Sequence, residues 1–176
     1  MTAGIRIRPW EHGDAEALHR LVRASHAELS AWLPWCHPAY GEADARAWIA
    51  HSLDAWTRRS AFPFAVVDAA SDALRGGVGL SHLDHERKRA NLGYWTGTPH
   101  TGGGLATRAA REAAHFGFGQ LGLQRIEIVA LPANAASLAV ASRLGAVREG
   151  LTRNGSVHGD SVLDAWLHSL IPGDLA

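Results

Sequence analysis

The stretch Thr98-Pro-His-Thr-Gly-Gly-Gly-Leu-Ala-Thr107 stands between a strand-like segment and a long alanine-rich run, and its reading sets the frame for the whole chain. Three successive glycines open backbone conformations that residues with a Cβ avoid, and they let a ligand come close to the main chain. A helix starting near Leu105 aims its unpaired N–H groups and the positive end of its dipole at the loop, so the expected guest is an anion. Two familiar phosphate loops do not fit. The triphosphate loop Gly-x-x-x-x-Gly-Lys-Ser/Thr needs a lysine that is missing here. The dinucleotide fingerprint Gly-x-Gly-x-x-Gly finds Gly102 and Gly104 but meets Thr107 in its third place, and no acidic residue follows about twenty positions later. A glycine-rich turn that only caps the helix is the bland alternative.

Upstream, residues 62–67, 75–83 and 90–96 read as three strands of a meander, separated by polar turns at 68–72 and 84–89. Downstream, Ala106, Ala109, Ala110, Ala113 and Ala114 make a lean helix over 105–121 that can lie close to a sheet and stops at Gly122. Residues 125–130 alternate as a strand, Leu131-Pro132 breaks it, and Asn134 caps a short helix over 135–144 ending at Gly145. Asn154-Gly155 marks a hairpin turn before a last strand over 161–170. At the other end, Ile5-Arg6-Ile7-Arg8 is a short strand stopped by Pro9. Asp14 is expected to cap a first helix carrying Ala17, Leu18, Leu21 and Val22 inward. Residues 42–59 repeat Ala45, Trp48, Ile49, Leu53 and Trp56 at helical spacing. Between those helices the segment 29–38, too broken for a regular element, carries Trp32 and Trp35 among prolines, as a pocket wall or as cover for the core edge. This order predicts an α/β domain around one mixed, mostly antiparallel sheet, spanning residues 1–176.

A chain of 176 residues suits one domain. Seventeen basic and seventeen acidic side chains cancel, so no broad footprint for nucleic acid is expected. The lone Cys36, the absence of a signal-like apolar start and the lack of a long apolar run point to a cytoplasmic protein without a membrane span. The tightest of the eleven histidines, His82 and His85, would face opposite sides of a strand, so no metal is expected.

Five stretches together resemble the GNAT acyltransferases, and within them the RimJ/RimL branch that acetylates protein N-termini. Arg8-Pro9 follows the first strand. Trp32 to Trp35 reads Trp-Leu-Pro-Trp, and Gly93-Tyr94-Trp95 ends a strand. Thr101-Gly102-Gly103-Gly104-Leu105-Ala106, followed by Thr107, corresponds to the loop Gln/Arg-x-x-Gly-x-Gly/Ala. Asn134, Ser137, Leu144 and Gly145 complete the pattern. Thr101 stands where Gln or Arg is usual, and Ala146 where an aromatic is usual. Because the loop binds chiefly through backbone N–H groups, Thr101 should weaken the contact rather than abolish it.

The resemblance implies a sheet of about seven strands with a V-shaped splay between the fourth and fifth, and helices on both faces. It implies acetyl-CoA as acetyl donor, its pyrophosphate on the loop amides of 101–107 and its pantetheine along backbone at Val129 and Leu131. Asn134 would touch the pantetheine arm, and Ser137 would act as general acid for the departing thiolate. A hydroxyl that only satisfies the first helical turn is the alternative for Ser137. Trp32, Trp35, Tyr94 and Trp95 would form the acceptor pocket. No base is assigned; Glu149, His158, Asp84 and Glu86 are the available groups, with water or a backbone carbonyl as alternatives. The acceptor expected is a protein N-terminal α-amine. A small amine such as an aminoglycoside, polyamine or amino acid is the second reading, and a non-catalytic acyl-CoA-binding module the third. The closing hairpin and an exposed sheet edge leave room for a homodimer.

Overall fold

The computed structural model describes residues 4–175. Seven strands form one sheet in the order β1-β2-β3-β4-β5-β7-β6. They are β1 (Ile5–Pro9), β2 (Phe62–Asp68), β3 (Leu74–Asp84), β4 (Arg89–Thr96), β5 (Arg125–Ala130), β6 (Val147–His158) and β7 (Ser161–Leu170). The helices are α1 (Ala15–Ala24), α2 (His26–Ser30), α3 (Glu42–Arg58), α4 (Leu105–Gln120) and α5 (Ala135–Leu144). Only β4 and β5 run parallel, joined through α4; the other neighbours are antiparallel. The expected mixed sheet of seven strands is therefore present.

Strand alternation divides the core in two. Phe62, Phe64 and Val66 of β2, with Val78, Leu80 and Leu92, face α4 and α5. Ala65 and Val67 face the other way, toward Trp10, Leu18, Val22 and Ile49 of the N-terminal helical layer. The lean helix behaves as its composition dictates: Ala109, Ala110, Ala113 and Ala114 are all buried. A Cβ on Gly117 would come within 2.9 Å of Leu80 Cδ1, so α4 lies on the sheet as closely as its backbone permits.

Three local expectations change. Asp14 precedes α1, yet its carboxylate makes no cap bond to that helix. It turns back to accept from Glu11 N–H at 2.9 Å and from both terminal nitrogens of Arg8 at 2.8 Å. A two-pronged bond to a guanidinium outweighs a single neutral N–H donor, so the charge partner takes the side chain. The segment around the tryptophan box begins with a regular turn of helix, α2, which includes Leu29 and Ser30. The Asn154-Gly155 pair does not turn the chain. The strand β6 runs through it with a register shift between Thr152 and Ser156, Asn154 sits at φ 53, and its N–H donates to Asp164. The reversal comes at Gly159-Asp160, after His158 pairs with Ser161, with Gly159 at φ 59 in the first loop position. Asn-Gly favours a positive φ, and a bulge uses that preference as well as a turn does.

Candidate active site

The strands β4 and β5 are paired for only three residues, Arg89 to Arg125, Ala90 to Ile126 and Asn91 to Glu127. Beyond that point residues 92–96 and 128–130 are not paired with one another, which opens the sheet at its centre. Beyond the paired stretch, the β5 edge facing β4 carries backbone groups that β4 does not pair. Val129 is exposed.

The glycine loop lies at the mouth of this opening. A short 3-10 turn, Thr98–His100, leads into it, and Thr101 is absorbed in that turn by donating its hydroxyl to Thr98 O at 2.9 Å. Gly102 and Gly104 have φ of 82 and 68; Gly103 does not lie in that region. Residues 101–104 are exposed, Leu105 anchors the helix start in the core, and Arg108 N–H returns to Gly104 O at 3.1 Å. A Cβ built on any of the three glycines meets no atom within 4 Å. The cradle therefore faces open space, with the N–H groups of Leu105, Ala106 and Thr107 in the first turn behind it. The Thr107 hydroxyl is buried without a hydrogen-bond partner among the described residues. An elongated anion fits this arrangement, which offers donors and dipole and carries no side chain in its way.

Across the opening, Asn134 caps α5 by accepting Ser137 N–H at 3.0 Å. Ser137 is also held from β4: the Tyr94 phenol donates to Ser137 O at 3.0 Å and lies 3.2 Å from Ser137 Oγ. Burial pushes the Tyr94 phenol up to about 12. This link was not legible in sequence, where Tyr94 grouped with Trp95 in the acceptor pocket. Alternation turns their side chains to opposite faces, Tyr94 to the α4 and α5 core and Trp95 to the α1 and α3 core, while both residues border one cavity beside β4.

A cavity of about 680 Å³ adjoins β4 on the α1 and α3 side. Trp35, Tyr94 and Trp95 border it, the Trp35 and Trp95 ring centroids lying 5.8 Å apart; Trp32 does not line it. Sequence reading missed Tyr40, Asp44, Trp48 and His51 in its wall. Three of these recur at positions 44, 48 and 51, one stripe of α3, and Trp48 had been counted in that helix's core stripe although it is exposed.

Of the four acid–base candidates, two are held by arginines. Glu149 accepts two 2.6 Å bonds from Arg125 and one from Ser169 Oγ at 2.6 Å, which lower its carboxyl from 4.5 to about 2. Asp84 is lowered by the Arg87 N–H and is ion-paired to Arg87 and Arg89. Glu86 is exposed in the β3–β4 turn, and His158 ends β6. A carboxylate that holds its proton only near pH 2 is a weak base at neutrality. Because the folded state depresses the Glu149 value, its contribution to stability is complete above the unfolded value near 4.5 and is lost as pH falls toward 2. Glu149→Gln should flatten the loss of stability over that window in acid-unfolding curves. It should leave the neutral limb of any pH–rate profile unmoved; a shifted neutral limb would make Glu149 a base.

Residues 5–147 match the family model described as the acetyltransferase (GNAT) domain. YdaF of Bacillus subtilis, whose name assigns it provisionally to the ribosomal N-acetyltransferases, is 31% identical over 154 residues, covering 86% of this chain and 82% of that protein. A Vibrio cholerae structure, provisionally named a ribosomal-protein-serine acetyltransferase, superposes with a TM-score of 0.86 at 30% identity, over 98% of this chain and 96% of that one. RimJ of Mycobacterium smegmatis in complex with CoA-disulfide shares the fold, with a TM-score of 0.89 at 23% identity over 99% of this chain and 85% of that one.

Proposed function

The chain belongs to the GNAT family of acetyltransferases, and on that premise we propose that it moves the acetyl group of acetyl-CoA to a protein N-terminal α-amine. The observation that carries the reading is the opened sheet, with a glycine-lined amide cradle at its mouth and Ser137 held at its far side by Tyr94. In this reading residues 101–107 take the pyrophosphate, and the free edge at Val129 and Leu131 takes the pantetheine. Asn134 lies beside the arm. The names of YdaF and of the Vibrio cholerae protein support a ribosomal-protein acceptor.

The chemistry asks little of a base when the acceptor is an α-amine. With a pKa near 7.8 it loses its proton at pH 7 for about 1 kcal/mol, against about 4.6 kcal/mol for a lysine near 10.4. The neutral nitrogen attacks the thioester carbonyl, and the tetrahedral intermediate collapses with cleavage of the C–S bond. Ser137 Oγ gives its proton to the departing thiolate and regains one through solvent from the acylated nitrogen. Positioning of the two reactants supplies the larger share of the acceleration. An N–H at Val129 polarises the carbonyl.

Among the residues lining the acceptor cavity the only carboxylate is Asp44, which argues against a polycationic drug as acceptor and for a peptide terminus. Release of CoA thiol from acetyl-CoA in the presence of peptides with free N-termini should exceed background, and the same peptides blocked at the N-terminus should give none. Turnover of small amines alone would replace the peptide reading. CoA binding without turnover of any amine would make the chain a binding module.

A further inference from the structure

The acceptor cavity has a floor almost free of side chains. On the sheet face turned toward α1 and α3, the cross-strand ladder between β3 and β4 reads Gly77 opposite Trp95, Gly79 opposite Gly93, and Ser81 opposite Asn91. On the other face the same strands carry Val78, Leu80, Leu92 and Tyr94. The bare patch is therefore confined to one face, and Gly93 lies two residues past Asn91, where β4 parts from β5. It borders the place where an acceptor must meet the thioester.

The three glycines differ in what they leave open. The Trp95 indole rests on Gly77, where a Cβ would stand 2.5 Å from its Nε1. Gly79 is hemmed by the neighbouring strand, with Pro63 Cα 3.0 Å from a built Cβ. Gly93 has nothing within 4 Å, so its backbone faces the cavity directly. Around this flat floor stand Trp95, Trp35 and Trp48. Trp35 and Trp48 remain 41% and 42% exposed, although indole is the largest apolar side chain a protein can bury. A pair of opposed glycines removes the two knobs that a strand pair would raise, and leaves peptide planes over which only a flat group makes full contact. Aromatic walls add edge-to-face contacts that an aliphatic chain does not make in the same way.

We infer that this slot receives a planar aromatic ring carried close to the acceptor amine, so that the preferred acceptor is an aliphatic amine bearing an aromatic ring, as an N-terminal aromatic residue or as a free arylalkylamine. The inference rests on the acetyltransferase reading for the amine and on the glycine floor for the ring. Asp44, ionised through the Gly41 N–H and lying 3.6 Å from His37, gives the rim one negative charge suited to a cationic approach.

The test compares thiol release with tripeptides that share their last two residues and begin with Phe, Tyr, Leu or Ser, and with phenethylamine against hexylamine. The aromatic members of each set should have kcat/KM at least about tenfold higher; the set showing the difference identifies the source of the ring. Gly93→Val fills the floor with a side chain whose Cβ meets no protein atom within 4 Å, and valine suits a strand. It should erase most of the aromatic preference while acetyl-CoA affinity stays unchanged. Tryptophan fluorescence titrated with phenethylamine reads ring binding apart from turnover, and quenching should be lost in Gly93→Val. Equal use of Leu, Ser and Phe peptides, or an aromatic preference that survives Gly93→Val, overturns the slot and leaves acetyl transfer standing. Quenching without thiol release keeps the slot and removes acetyl transfer; absence of quenching in the wild type overturns the slot.

Discussion

Gly104→Val should abolish CoA binding, raising the dissociation constant at least about 100-fold, which corresponds to about 2.7 kcal/mol. Gly104 opens α4 at φ 68, a region that a β-branched residue occupies only with strain of about 1–3 kcal/mol. No protein atom lies within 4 Å of a Cβ there, so the damage falls on the path of the chain that aims the helix amides, and on the space the ligand fills. Some thermal stability should go with it, a few degrees for a chain of this size. Gly103→Val separates the two causes. Its backbone is outside the left-handed region and its Cβ also meets nothing, so the free protein should melt as the wild type does. A ligand lying over the loop would still collide with the valine. Unchanged affinity in Gly103→Val, measured by calorimetry, would mean that the pyrophosphate does not lie on these glycines; unchanged affinity in Gly104→Val would remove the loop from the binding site altogether.

The loop was legible because glycine runs and helix starts are local properties. The glycines allow one set of dihedrals, and the alanines after them allow one kind of packing, so residues 98–121 announce their conformation without knowledge of the rest. The meander, the helix over 135–144 and its Asn134 cap were legible for the same reason. The central opening of the sheet came instead from the likeness of five motifs to a family, and the strand order from the structure alone, because strand neighbours far apart in sequence leave no local mark. What stayed hidden depends on partners across the fold. Asp14 had the right place for a cap, but Arg8 arrives from β1 with two donors and takes its carboxylate. Asn154-Gly155 had the right dihedral preference for a turn, yet the strand β7 opposite it is long enough to continue pairing, and the preference is spent in a bulge. Glu149 looked available in sequence; Arg125, twenty-four residues away, removes it. The Tyr94 phenol could be assigned to Ser137 only once α5 was seen to lie against β4.

That last pairing leads to the second large effect. Ser137→Ala should lower kcat by about 10–100-fold, at or below the lower end of what a positioned acid contributes, because a thiolate leaves more readily than an amide nitrogen would. The KM for acetyl-CoA should change little, since the Asn134 cap is met by the Ser137 backbone N–H and survives the substitution. Tyr94→Phe keeps the ring in the core and removes only the hydroxyl that fixes Ser137 through its carbonyl and Oγ. Its effect should be smaller, about tenfold in kcat, and should vanish in the Ser137→Ala background, because Tyr94 acts through the serine. Two residues that act as one unit give a double variant no worse than the more damaging single one. Independent losses that multiply in the double variant would show that the phenol touches the reacting atoms itself. The phenol titrates at about 12, so it keeps its proton throughout the range in which an α-amine becomes nucleophilic, and no limb of the kcat profile below about pH 10 should belong to it. A limb between pH 8 and about 10 that disappears in Tyr94→Phe would contradict the buried, serine-bound phenol on which the assignment of Ser137 rests.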